Sequence, residues 1–457
     1  ALPILYGHEA RFRAQSSALR SAFRARPVCK KGRFAPFFCS FENLTRQAAE
    51  DCLSEWDGRG SDGRLLPQWK GTFMLIINAN IQTMTGNDYK NGYILMEQGK
   101  ITAVGDMAQA PKADCLYDAH GAFALPGFID AHCHIGMWED GLGFEGDDGN
   151  EDTDPSTPHL RGIDGVNPFD RAFSEALDYG VTTVVTGPGS ANPIAGQMCA
   201  LKTYGRRVDD MIVRAPLAIK MALGENPKTS YHEKQQGPAT RMGIAAVIRE
   251  QLAKARRYAQ EMDEAAQDDE IDEPEFDAKC EALLPLLDGR IKAHIHAHRA
   301  DDIFTGIRIA KEFGFGYVIV HGTEAHLVAD LLAGEDASVI AGPLLGARTK
   351  PELANSSAAG IAAISRAGVR VAVATDHPEL PCYCLLLSAQ LAADSGLEPA
   401  KALRAITADA AEICAIGDRV GSIAPGYDAD IVLFDEEPIK TRKKPQAVFI
   451  DGEKVRG

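Results

Sequence analysis

Between residues 127 and 376 the chain repeats one pattern eight times: a short apolar run, then a longer polar or amphipathic stretch. The runs cover 127–134, 181–186, 198–202, 216–223, 291–296, 317–321, 338–341 and 371–376. Strands this uniformly apolar bury both faces, the signature of a sheet covered by helices rather than one facing water. Several are followed by helical periodicity, as in 301–313, 324–333 and 356–367, each with a glycine at or just beyond its end. Eight such units predict an α/β fold, a (β/α)8 TIM-type barrel over residues 125–417. One unit is longer than the rest. A charged, helix-favouring insertion spans 225–290, with a helical run at 252–264 and an acidic, solvated stretch at 268–275.

Strand patterns of a different kind flank the barrel. From Met74 the sequence MLIINANIQTM alternates, and 92–104 reads as a hairpin turning at Gln98-Gly99. Residues 421–455 return to the same pattern. The simplest arrangement is a small β-sandwich assembled from residues 74–124 and 418–457. Residues 1–73 do not match either part. Positions 1–70 carry 12 basic and 7 acidic residues in a chain of net charge −16 and include the loop-like DGRGSDG. Three readings fit them: a transit-like leader, an extension docked on the domain, or upstream sequence translated from a mis-assigned start, which is favoured.

Composition then narrows the function. With 457 residues, 45% hydrophobic and 25% charged, the chain is an ordinary globular protein. Its acidic balance argues against nucleic acid, whose phosphates demand clustered Lys and Arg. No apolar run reaches the roughly 18 residues of a membrane span. Ten cysteines without a paired CxxC spacing suit small buried hydrophobes in a reducing compartment, the cytoplasm. A homo-oligomer is neither indicated nor excluded.

The chemistry gathers where the strands end. The run PGFIDAHCH places His132 and His134 two residues apart, and KAHIHAH offers His294, His296 and His298 on one strand face. The sixth run ends at His321 and the eighth at Asp376-His377. Seven of the 12 histidines thus sit at strand ends, on the rim where barrels keep catalytic residues. Imidazole and carboxylate together suit a divalent cation, Zn2+, Mn2+ or Fe2+.

These motifs, with GVTTVVTGPGSANPIAGQ and the closing GSIAPGYDADIVLFD, resemble the amidohydrolase superfamily over about residues 74–455. Within it they are similar to the imidazolonepropionase-related and Xaa-Pro dipeptidase (prolidase)-like subgroup. The resemblance implies a metal-dependent hydrolase of a carbon–nitrogen bond in a small amide, with a dipeptide of the Xaa-Pro type as leading substrate and an imidazolonepropionate-like cyclic amide as alternative. It implies His132, His134, His296, His321 and Asp376 as ligands to one or two divalent metals, Zn2+ first among them. Lys220, near the end of the fourth strand, takes the place of the carboxylated lysine of binuclear members, with Lys202 the weaker candidate. A bound Zn2+ would supply hydroxide at neutral pH and polarise the scissile carbonyl, Asp376 acting as general base and then acid. His298 is a candidate to stabilise the oxyanion, His377 to orient substrate.

For a substrate carboxylate, Lys228 and Tyr231 in the segment after the fourth strand are candidates, as against a plain capping turn. The acidic loop at 146–154 lacks the spacing of a calcium loop and is read as solvated. Two other classes stay in view. A deaminase needs a glutamate beside the fifth-strand histidine; the one HxxE, His321 to Glu324, lies on the sixth strand. A non-catalytic scaffold is disfavoured by the full ligand set.

Overall fold

The computed structural model describes residues 73–457 apart from Asp114 and Asp140. The readings offered for residues 1–73 lie outside them, except at Phe73, which opens the first strand. Among the described residues sixteen strands form two sheets of eight.

The first sheet takes strands from both ends of the chain. It contains β1 (Phe73–Ile81), β2 (Tyr89–Glu97), β3 (Lys100–Asp106), β4 (Leu116–Asp118) and β5 (Phe123–Pro126). The second contains β6 (Phe128–Asp130), β7 (Val181–Thr186), β8 (Ile194–Lys202), β9 (Ile212–Ala222), β10 (Lys292–Ala297), β11 (Tyr317–His321), β12 (Ser338–Ala341) and β13 (Arg370–Val373). The chain then returns to the first sheet with β14 (Ile431–Phe434), β15 (Ala447–Ile450) and β16 (Glu453–Arg456).

The two ends meet where β14 runs antiparallel to β5, so strands some 300 residues apart in sequence share one hydrogen-bonded path. Glu97 pairs with Lys100 across the predicted hairpin, and Gln98 and Gly99 both take positive φ (50° and 78°), the geometry that a two-residue turn requires. The sheet buries Ile76, Ile94, Ala124, Ile431 and Phe449 in its own core. It curls enough for Tyr117 on β4 to meet Phe449 on β15 edge to face, with ring centroids 5.3 Å apart.

The second sheet follows the order β6 to β13 without a break, and all eight expected runs are strands. Its closure comes just beyond the two end strands. Asp376 N–H donates to the His132 carbonyl at 3.0 Å, and His134 N–H to the His377 carbonyl at 2.9 Å. Below them the Thr375 backbone N–H, at 3.1 Å, and hydroxyl both donate to the buried Asp130 carboxylate.

One strand corrects the strict (β/α)8 expectation. β8 is antiparallel to both neighbours, β7 and β9, because only the short segment 187–193 joins β7 to β8. A parallel return needs a crossover of a dozen or more residues. Reversal puts the end of β8 at the opposite rim. Lys202 is therefore not near the histidines: its ammonium is buried against Asp428, at 3.0 Å, and Asp430, beside the first sheet.

Two other local readings shift. The stretch expected as a helix over 324–333 is a 3-10 turn, Ala325–Val328, followed by the short helix Ala329–Ala333. The insertion folds as three helices, Glu225–Glu233, Arg241–Gln267 and Ala278–Leu287, with the exposed acidic stretch between the last two. Arg241–Gln267 packs Ile244, Ile248 and Leu252 into the layer around the barrel. No helix among the described residues is long and apolar enough to cross a membrane.

Candidate active site

The apolar residues of the barrel interior come from all strands but one. Ile129, Val185, Met198, Ala218, Val320, Ile340 and Ala372 form its core, contributed by every strand but β10. The alternate residues of β10, Ala293, Ile295 and Ala297, pack outward. Its inward positions are thus His294 and His296, followed by His298 just past the strand end; all three are 1–3% exposed. A strand that spends its whole inner face on imidazole gives up apolar burial for a site.

The other histidines arrive by breaks in strand geometry. β6 ends at Asp130, so His132 and His134 lie in the bend beyond it, not on the strand face that their spacing suggested. On β11 the inward residues are Val318 and Val320, so alternation would turn His321 outward. Its φ of 70° redirects it, and Asp376 likewise has φ 55°. Non-glycine residues in this region cost roughly 1–3 kcal/mol each, strain that clusters at functional sites.

These residues converge. Asp376 Oδ1 lies 3.3 Å from His134 Nε2 and 3.5 Å from His132 Nε2, while Oδ2 lies 4.0 Å from His321 Nε2. Lys220 Nζ is 3.0 Å from His132 Nε2. The His296 ring is 4.6 Å from that of His321 and 4.7 Å from that of His298, and His298 stacks on His321. Outer hydrogen bonds orient the rings. His134 Nδ1 meets the Gly187 carbonyl at 2.8 Å, His321 Nδ1 the Gly342 carbonyl at 2.7 Å, and His298 Nδ1 the Thr323 hydroxyl at 2.7 Å. Each leaves Nε2 directed to the centre, the usual way a ligand histidine is aimed.

Burial sets the protonation. It pushes His132, His296 and His298 well below the ordinary imidazole range, His321 to about 4 and His294 to about 3. Neutral imidazole is the form that binds metal. Burial also lowers Lys220 to about 8, within reach of the free amine that carboxylation needs. Asp376 goes the other way: burial opposes its charge, yet His321, His134 and Lys220 hold it at about 2.

The residues fit a divalent metal. Both ring nitrogens of His296 and Nδ1 of His132 are buried without a hydrogen-bond partner among the described residues, a cost that a native interior rarely accepts without a ligand. Two sets, His296–His298–His321 and His132–His321–Asp376, have donor atoms within 4.8 Å of one another and share His321.

The expected substrate residues fare differently. Lys228 is on the exposed face of its helix, and Tyr231 is fully buried with its hydroxyl donated to Asn192 at 2.6 Å. Among the described residues no hydrogen bond or ion pair joins either to the histidines. His377 is half-buried at the rim, its carbonyl taken by His134. Glu324 is spent on Ala300 N–H and Asn355, both at 2.9 Å.

The structure adds partners that no motif revealed. Glu352, 3% exposed in the loop after β12, brings Oε1 to 3.8 Å from His298 Nε2 and 3.6 Å from Lys350 Nζ. Its Oε2 accepts from Glu225 N–H at 3.0 Å and lies 3.8 Å from Arg241, whose Nε–H is shared between both carboxylate oxygens of buried Asp302. Trp138, from the long first loop, sets its ring against His134 at 4.9 Å. Charged residues in rim loops were the one available signal, and it does not separate inward from outward positions.

The family model "Amidohydrolase family" matches residues 286–455. An amidohydrolase crystal structure from Thermotoga maritima MSB8 is 42% identical, with a TM-score of 0.80 over 84% of this chain and 99% of that one. Amidohydrolase tasK of Hapsidospora irregularis is 29% identical over 392 residues, 79% of this chain, which spans only 39% of tasK's length. An imidazolonepropionase of Salinispora tropica is 25% identical over 368 residues, 76% of this chain and 86% of that protein.

Proposed function

The chain belongs to the amidohydrolase family, and from that premise we propose that it hydrolyses a carbon–nitrogen bond of a small amide using one or two divalent metal ions. The observation that carries this is that His132, His134, His321 and Lys220 gather about Asp376, while His296 packs on His321 with neither ring nitrogen hydrogen-bonded among the described residues. These six would hold the metal, Lys220 as its carbamate where two ions are bound, and N and O donors suit Zn2+ first. The bound metal supplies Lewis acidity toward the scissile carbonyl and an acidified water.

The chain's own residues do the rest. Asp376, ionised at any working pH, takes the proton of the attacking water on a carboxylate oxygen and returns it to the leaving nitrogen, which would otherwise depart as an unstable anion. His298, held by Thr323, presents Nε2 to the substrate carbonyl oxygen, and His377, whose carbonyl accepts from His134 N–H, orients the substrate at the rim. Trp138 against His134 limits water. A dipeptide of the Xaa-Pro type is the leading substrate and a cyclic amide like imidazolonepropionate the alternative, the latter supported by the named relative. A reducing, cytoplasmic setting belongs to the same reading, supported by the seven described cysteines, all free.

A deaminase is the second reading, kept because Glu352 approaches the fifth-strand His298 where Glu324 does not. Metal analysis on protein purified without chelator, native mass spectrometry for the carbamate, and assays on Xaa-Pro dipeptides, cyclic amides and aminated rings test the proposal. Near two metals with the carbamate directs assays to dipeptides, and one metal without it to a mononuclear site. No metal after reconstitution sinks the hydrolase reading, and ammonia release from aminated rings alone favours the deaminase.

A further inference from the structure

The leading and alternative substrates share a feature besides the scissile bond: a carboxylate. Of the residues that the sequence offered for it, Lys228 faces outward and the Tyr231 hydroxyl is buried on Asn192. A different cation stands at the rim. Lys350, in the loop between β12 and the helix Ala358–Arg366, has a side chain 26% exposed and shares a carboxylate oxygen with the site, Glu352 Oε1 lying 3.6 Å from its Nζ and 3.8 Å from His298 Nε2.

Its surroundings hold it in place without using it up. An ammonium has three N–H donors. Among the described residues one goes to Asn226 Oδ1, at 2.6 Å, and Asn226 is fixed in turn by donating to Ser190 Oγ at 2.8 Å. Glu352 Oε1 sits 3.6 Å away, beyond hydrogen-bond distance, and is buried with no hydrogen-bond partner of its own. The carboxylate therefore holds the ammonium on the side of His298 while leaving donors open among the described residues. The helix after the fourth barrel strand and the loop after the seventh meet at this point, on the same rim as the histidines.

We propose that Lys350, positioned by Asn226 and Glu352, binds the carboxylate of the substrate and so restricts the enzyme to amides bearing one near the scissile bond. This rests on the hydrolase reading above and deepens it.

The test uses the metal-reconstituted full chain and two neutral-to-anionic pairs of probes: N-acetyl-L-proline against N-acetyl-L-prolinamide, and glutarate against glutaramide, titrated by calorimetry. The wild type is expected to prefer the carboxylate at least about tenfold, the worth of one charge-assisted hydrogen bond. Lys350→Met should abolish the preference with the melting temperature unchanged, and Lys350→Arg should keep most of it. A wild type that binds neither member of each pair, binds both equally, or keeps its preference in Lys350→Met overturns the assignment. Turnover is scored separately: hydrolysis of carboxylates and carboxamides alike refutes the role of Lys350 and leaves the hydrolase reading standing, whereas carboxylate preference in binding without any turnover refutes the hydrolase reading alone.

Discussion

Lys220 Nζ and His132 Nε2 lie 3.0 Å apart in the buried centre of the barrel, brought together from β9 and the bend after β6. A lysine and a histidine, both fully buried, gain little from each other as bare side chains. The function proposed above accounts for the contact by making both donors to a common cation, the lysine carrying a carboxylate.

Substitution at Lys220 reads this out directly. Lys220→Ala is expected to lower bound metal by at least one ion per chain and kcat by at least about 100-fold. Lys220→Glu restores an anionic oxygen and should retain more metal than the alanine variant. Elemental analysis of both beside the wild type checks the order; equal metal in all three refutes ligation by Lys220.

Asp376 is the proposed proton carrier. Asp376→Asn keeps its size and its hydrogen bonds to the rim backbone but accepts no proton, so kcat should fall about 100- to 10,000-fold with KM changed far less. Steady-state kinetics at matched metal loading measure it. A fall below tenfold would remove Asp376 from the reaction.

Lys202 offers the contrast. It is buried between Asp428 and Asp430 where the barrel meets the first sheet. Lys202→Met leaves the buried Asp430 without its cation, while Asp428 keeps Lys100 and Arg419; the loss costs about 3–5 kcal/mol. Denaturant unfolding should show that loss while metal content stays that of the wild type.

The insertion has its own pH signature. Asp277 caps the helix Ala278–Leu287, accepting from Lys279 and Cys280 N–H, and its hydrogen bond to Lys254 holds it at about 2. A carboxyl lowered on folding contributes stability above its unfolded value, near 3.8, and loses it as the pH falls toward 2. Asp277→Ala should therefore cost about 1–2 kcal/mol at pH 6 and far less at pH 2.5. A gap that does not narrow in unfolding curves at the two pH values would refute the assignment.

Much was legible because it is written in local order. Eight apolar runs and the Gln98-Gly99 turn report backbone geometry that a residue imposes on its own neighbourhood, and HxH, HIHAH and ATDH mark strand ends whatever surrounds them. What the sequence left undecided needed distance in space. Lys202 and Lys220 read alike, each at the end of an apolar strand. The direction of β8, set by a connection too short for a crossover, carries Lys202 to a structural ion pair, while Lys220 on β9 stays beside the histidines. His321 reaches the site through a positive φ that alternation does not foresee. Lys350 and Glu352 stand 124 or more residues from the side chains they meet on the helix after β9, in a loop without a motif. A side chain's neighbours along the chain govern its conformation, but its charge and its ligands are decided by whatever folding packs against it, and in this protein that is where the specificity of the site resides.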